Sequence, residues 1–291
     1  MTFTITNSCK TLSAKIDEAG GRLRDFSNLA DPHQTILRRA GAQYGSTVWP
    51  SPQLDWGWPP PPILDSQAYD LLEQTESRLS ITSAICPATS WQIEKCFTLL
   101  DAALDLTYVL KSHHEEARTA ALWEVSRHEG FPVLFVADSI NVEGELLPGS
   151  FFSDSRGHHL YRYHSQLIQQ QGRAAHGHKL FAHGGEGWIV QLRPDIVFLK
   201  NFRPVDKAYA VSGEAGIEIY GNGDPNDAYI EIEQQTRGHR IPPGESISMS
   251  NQWRLISDER VDRLYKQAAA LTTEEQLVSL VQEIRRLTCM S

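Results

Sequence analysis

The sequence predicts an all-β protein, many antiparallel strands in one unit, closed by a helical C-terminal tail. Three observations predict it. Period-two alternation recurs along the chain and is clearest at residues 229–235, where Ile230 and Ile232 point one way and Tyr229, Glu231, Glu233 and Gln235 the other. Turn signals rich in Gly, Asn, Asp and Pro separate these runs. Helical spacing is confined to the end of the chain, where Leu277, Leu280, Val281 and Ile284 form one stripe.

Residues 15–36 read as short strands with bends at Gly20-Gly21 and Asp31-Pro32. Residues 44–65 hold six prolines and three tryptophans. Proline offers no N–H to a ladder, so a long, stiff loop is expected there. Its Trp49, Trp56 and Trp58 either plug one end of the core or roof the sheet as a platform for a flat ligand face.

Strands are expected over 78–85, 91–100, 104–112 and 119–128, then an apolar run at 131–137. The run 119–128 sets Trp123, Val125 and Arg127 on one side and Glu124, Ser126 and His128 on the other. Residues 148–185, rich in Gly, Ser, Gln and His, read as irregular. His176 and His178 could chelate a metal from one strand face, yet no Cys or carboxylate stands at a recognised spacing, so surface or loop histidines are the expectation and no metal or cofactor is assigned.

Strands at 188–190, 196–202, 215–220 and 228–235 follow. The turn Gly221-Asn222-Gly223-Asp224-Pro225-Asn226 predicts a hairpin that brings Glu218 beside Glu231 or Glu233. Three carboxylates on adjacent strands call for a cation, and Lys200, among Phe198, Leu199, Asn201 and Phe202, is the candidate. The plainer alternative is an exposed strand with a cross-strand ion pair. A last strand is expected at 246–256. Residues 261–270 and 274–287 are expected as helices, with Thr272 and Glu275 as a capping box. One β domain over 1–256 and a helical extension over 257–291 follow, the extension packing on the β body or serving a homodimer contact.

Formal charge of −9 with scattered Lys and Arg argues against nucleic acid as a partner. Four cysteines without a CxxC pair suit a reducing compartment. Without a leader-like start or an 18-residue apolar run, a cytoplasmic protein with no membrane partner is expected.

From Gly187-Trp188-Ile189-Val190 through residues 229–235 to Ile241-Pro242-Pro243-Gly244-Glu245-Ser246, the C-terminal half resembles the galactose mutarotase-like, or aldose 1-epimerase-like, proteins. The resemblance implies a β-supersandwich of two extended antiparallel sheets, one of them concave, across residues 10–256. It also implies a small carbohydrate or sugar phosphate as partner. In that family a glutamate on a late strand, ahead of a Pro-Gly-Glu turn, is the catalytic base. Glu233 is its match, with Glu231 as the competing register. The family's acid is a histidine on a central strand, and His128 stands at the corresponding place. Lys200, Glu231, Glu218 and Arg127 would hold hydroxyls, while Trp49 or Trp58 would stack on the sugar. The family's Asn-Arg and His-Gly-Gly segments have no counterpart near Tyr44-Gly45-Ser46, so galactose itself is not implied. Two other functions fit these residues: a non-catalytic carbohydrate-binding module on the same fold, and a lyase or isomerase for acidic sugars drawing on Arg127, Lys200, Arg203 and Arg237.

Overall fold

A computed structural model describes residues 1–30, 35–39, 41, 43–163, 177–224 and 226–289. Two antiparallel sheets pack face to face. In spatial order, sheet one runs β1 (Thr2–Thr6), β2 (Leu12–Asp17), β3 (Arg22–Asn28), β4 (Ser46–Ser51), β9 (Arg118–His128), β18 (Ile230–Gln235), β17 (Ile217–Gly221), β14 (His178–His183) and β11 (Ser139–Glu143), with β19 (His239–Ile241) on the other end of β9. Sheet two runs β12 (Phe151–Ser153), β13 (His158–Tyr161), β10 (Val133–Val136), β15 (Trp188–Leu192), β16 (Val197–Asn201), β20 (Ser246–Ile256), β8 (Leu104–Ser112), β7 (Trp91–Leu99), β6 (Arg78–Thr82) and β5 (Asp70–Gln74).

The alternation read from the sequence decides what lies between the sheets. On β18, Ile230 and Ile232 pack with Val133, Phe135 and Ile189 of sheet two, so Glu231, Glu233 and Gln235 project from the outer face of sheet one. Sheet two is covered on both sides where β10, β13, β15 and β16 run. Val190, Leu192, Val197 and Leu199 turn outward to a second core made with the helices Val261–Ala270 and Glu274–Thr288, whose Leu264, Leu277, Leu280 and Ile284 form the apolar stripe. That double covering explains why β15 is buried along its whole length.

Three expectations shift on folding. The Trp-Pro stretch opens as a strand: β4 pairs with β9 from Ser46 opposite Ser126 to Ser51 opposite Ala121, so Trp49 and Pro50 belong to the ladder. Irregular chain begins only at Pro52. Within 148–185, β13 and β14 are regular strands. The last helix is capped by Thr273, whose hydroxyl accepts from Gln276 N–H, one residue later than expected. Asp31-Pro32, His164 and His176 lie outside the described residues. No helix among the described residues is long and apolar enough to cross a membrane.

Candidate functional site

Cross-strand register gathers charge at the middle of the outer face of sheet one. Glu233 sits opposite Glu218 on β17 and opposite Val125 on β9, while Glu231 sits opposite Arg127. Next to β17, β14 places Phe181 opposite Glu218 and Lys179 opposite Tyr220. Long side chains reach their diagonal neighbours in such a ladder. Lys179 uses that reach: its Nζ lies 2.5 Å from Glu218 Oε2 and 3.2 Å from Glu233 Oε2.

Both carboxylates are fully buried, so each oxygen needs a donor. Glu218 Oε1 accepts from Ala215 N–H and from Gln235 Nε2, each at 2.8 Å. Burial pushes its pKa up against the counteracting Lys179 ammonium. Glu233 Oε2 accepts from the Trp123 indole at 2.7 Å as well as from Lys179. Its Oε1 has no partner among the described residues. Lys179, which loses hydration by burial, gains more from the two carboxylates, and its pKa is raised. The ammonium also lies over the Trp123 ring, 4.9 Å from its centroid.

Arg127 is fully buried beside this pair. Its Nε donates to Glu231 Oε1 at 2.8 Å and its guanidinium lies 5.3 Å from the Trp49 ring centroid, but Nη1 and Nη2 have no partner among the described residues. Burial raises the Glu231 pKa and Arg127 opposes the rise.

Tryptophans wall the site. Trp49 packs edge-on to Trp123 at 5.3 Å, to Trp56 at 5.9 Å and to Trp58 at 6.2 Å between ring centroids. Trp58 is 59% exposed and Trp49 is buried. The Trp49 indole N–H donates to Asp65 Oδ1 at 3.0 Å, and the same oxygen takes Arg22 Nη2 at 2.7 Å. Asp65 arrives there because the Pro62–Asp65 turn closes over Gly20, where φ is +70° and a Cβ would fall 1.8 Å from the Asp65 carbonyl oxygen.

Of the residues named from the sequence, the structure brings together Glu233, Glu231, Glu218, Arg127, Trp49 and Trp58. His128 and Lys200 are a correction: both are buried between the sheets, on the opposite side of sheet one from Glu233. The alternation of β9 that sends Arg127 outward sends His128 inward, where it binds Ser126 Oγ at 2.8 Å and the Ile36 carbonyl at 2.9 Å and packs on Phe198. Burial and the Lys200 ammonium lower its pKa, so the ring stays neutral. Lys200 comes from sheet two, on whose β16 the even-numbered positions face sheet one; it pairs with Glu124 Oε2 at 2.8 Å and donates to Ser126 Oγ at 2.8 Å.

The cation between the carboxylates is therefore Lys179, which the sequence reading passed over, together with Trp123 and Gln235. Its signal was present. His178-Lys179-Leu180-Phe181-Ala182-His183 alternates, with Leu180 and Ala182 in the core. His183 shares the outer face with Lys179; its Nδ1 has no partner among the described residues, and burial and Lys207 lower its pKa. Among the described residues no three His, Cys, Asp or Glu side chains converge as a metal set.

No protein-family model matches the sequence, and neither does any curated protein. Solved structures do match. A galactose mutarotase-like protein from Lactobacillus casei shares 13% identity at a TM-score of 0.61, over 88% of this chain and 100% of that one. A galactose mutarotase related enzyme from Lactobacillus acidophilus shares 9% identity at 0.63, over 88% and 98%. A putative aldose 1-epimerase from Escherichia coli K12 shares 10% at 0.56, over 89% and 99%. The resemblance read from the sequence holds at the level of architecture: this chain has the galactose mutarotase-like fold.

Proposed function

We propose that the outer face of sheet one binds a sugar and catalyses an aldose 1-epimerase reaction with Glu233 as base. The observation that carries the reading is a buried carboxylate with one oxygen fixed by Trp123 and Lys179 and the other without a partner among the described residues, beside the two Arg127 Nη groups, likewise without one, under a tryptophan wall. Fixed donors and acceptors facing an aromatic surface suit a polyhydroxylated ligand with one apolar face.

Ring opening takes the proton from the anomeric hydroxyl O1 and delivers one to the ring oxygen O5; the C1–O5 bond breaks and C1 becomes an aldehyde. Rotation about C1–C2 and the reverse proton transfers close the ring as the other anomer. O1 and O5 are both bonded to C1, so neighbouring groups can serve them. Glu233 Oε1 takes the first proton. Lys179, at 3.2 Å from that carboxylate, supplies the second, and it is preferred to His183 for this contact. In the resting site two carboxylates hold the Lys179 proton firmly. Protonation of Glu233 removes one of those charges and loosens the lysine proton as O5 needs it. Arg127 would hold a hydroxyl, and Lys179, 22% exposed, marks the way in from solvent.

Anomer interconversion followed by NMR across a panel of aldoses tests the reading. Acceleration over buffer for at least one sugar is expected, falling by about 10²-fold or more in Glu233→Gln. No acceleration for any sugar, or wild-type rates in that variant, would overturn it. A non-catalytic sugar-binding module is favoured by the inward position of His128, and binding without acceleration is its signature.

A further inference from the structure

A second cavity, of about 370 Å³, lies beside the candidate site and shares Gln235 with it. β16 ends with Asn201 opposite Gln252 and so does not pair with residues 246–251 of β20, of which Ser248, Met249, Ser250 and Asn251 line the cavity. Arg203, Arg237, His239, Asp206 and Tyr209 are its charged or titratable lining groups. Neither arginine has a carboxylate within ion-pair distance among the described residues, and Arg237 is held against the Tyr209 ring at 5.4 Å. In a chain of formal charge −9, two arginines against one aspartate make a local cationic pocket, with His239 as a further donor beside them. Burial lowers the His239 pKa first, and Arg237 and then Arg203 lower it further, which places the ring within the field of both guanidiniums.

Asn251 adds a second requirement. It lines the cavity and is 4% exposed, its Nδ2 faces Glu124, and its Oδ1 has no partner among the described residues. A buried amide oxygen without a donor is costly, and a ligand hydroxyl supplies one.

We infer that this cavity binds a small phosphorylated polyol, with Arg203, Arg237 and His239 taking the phosphate and Asn251 Oδ1 a hydroxyl. Arginine matches phosphate oxygens with paired N–H donors, the strongest polar contact available to an exposed pocket. The inference does not depend on Glu233 chemistry.

Calorimetry at low ionic strength with glycerol 3-phosphate, inorganic phosphate and glycerol tests it, alongside NMR of the His239 ring. Saturable one-to-one binding of glycerol 3-phosphate is expected, with weaker inorganic phosphate and no glycerol binding. Each of Arg203→Ala and Arg237→Ala should weaken glycerol 3-phosphate binding about tenfold, roughly one charge-assisted contact. Bound phosphate should move the His239 titration upward, because it offsets Arg203 and Arg237. Absence of saturation would overturn the inference. So would undiminished affinity in the double variant, with an unchanged melting temperature showing that both exposed arginines were removed without unfolding.

Discussion

Glu218 and Glu233 are fully buried opposite one another, an arrangement that repels unless a positive charge stands between them. Lys179 supplies it, and the triad is stable only as a set. Removing one partner of a buried pair leaves the other charge unpaired. Lys179→Met should therefore cost about 3–5 kcal/mol by urea unfolding at neutral pH. The loss should shrink as pH falls, since a carboxylate that binds a proton in the folded state no longer carries the buried charge. The sign follows from linkage: a raised folded-state carboxylate pKa makes stability fall as pH rises through it. A loss that is flat with pH, or below about 1 kcal/mol, would contradict the triad. Gln235 supports the same set from the side, donating to Glu218 Oε1 and Glu214 Oε2 while accepting from Ser51 Oγ.

Among the elements, the Trp-Pro segment matters most to the site. β4 delivers Trp49 to the face that carries Trp123, and the prolines after it turn the chain back so that Trp56 and Trp58 pack on the same cluster. Trp49 is locked by its bond to Asp65, whereas Trp58 presents its ring to solvent. An exposed indole holds no core together, so its replacement separates ligand stacking from stability. Trp58→Ala should weaken binding of the sugar identified by NMR about fivefold to tenfold, roughly 1 kcal/mol of aromatic contact, with little change in melting temperature. Unchanged affinity would remove Trp58 from the binding face.

For the whole molecule, the polar groups between the sheets are a clamp rather than a site. Lys200 of sheet two meets Glu124, Ser126 and the Ile232 carbonyl of sheet one, and Glu124 also takes Ser46, Gln234 and Asn251. Lys200→Met should lose about 3–5 kcal/mol of stability because Glu124 is left buried and unpaired. The double variant Lys200→Met with Glu124→Gln should recover much of that loss, while the folded fraction of either keeps its anomer interconversion. A selective loss of activity at native stability would place Lys200 in the site after all.

Period-two alternation, turn chemistry and the helical stripe at the C-terminus determined the all-β class, the 217–235 hairpin and the two faces of β9 and β18. These are local properties, written in which neighbours are apolar. They were enough to set Glu231 and Glu233 together and to oppose Arg127 to His128. Tertiary structure alone decided which outward face meets which. Lys179 reaches Glu233 through β17 from a strand more than fifty residues away, and Lys200 points at the back of the same strands because sheet two packs there. Alternation gives a side chain one of two faces, and only the stacking of the sheets decides what that face meets.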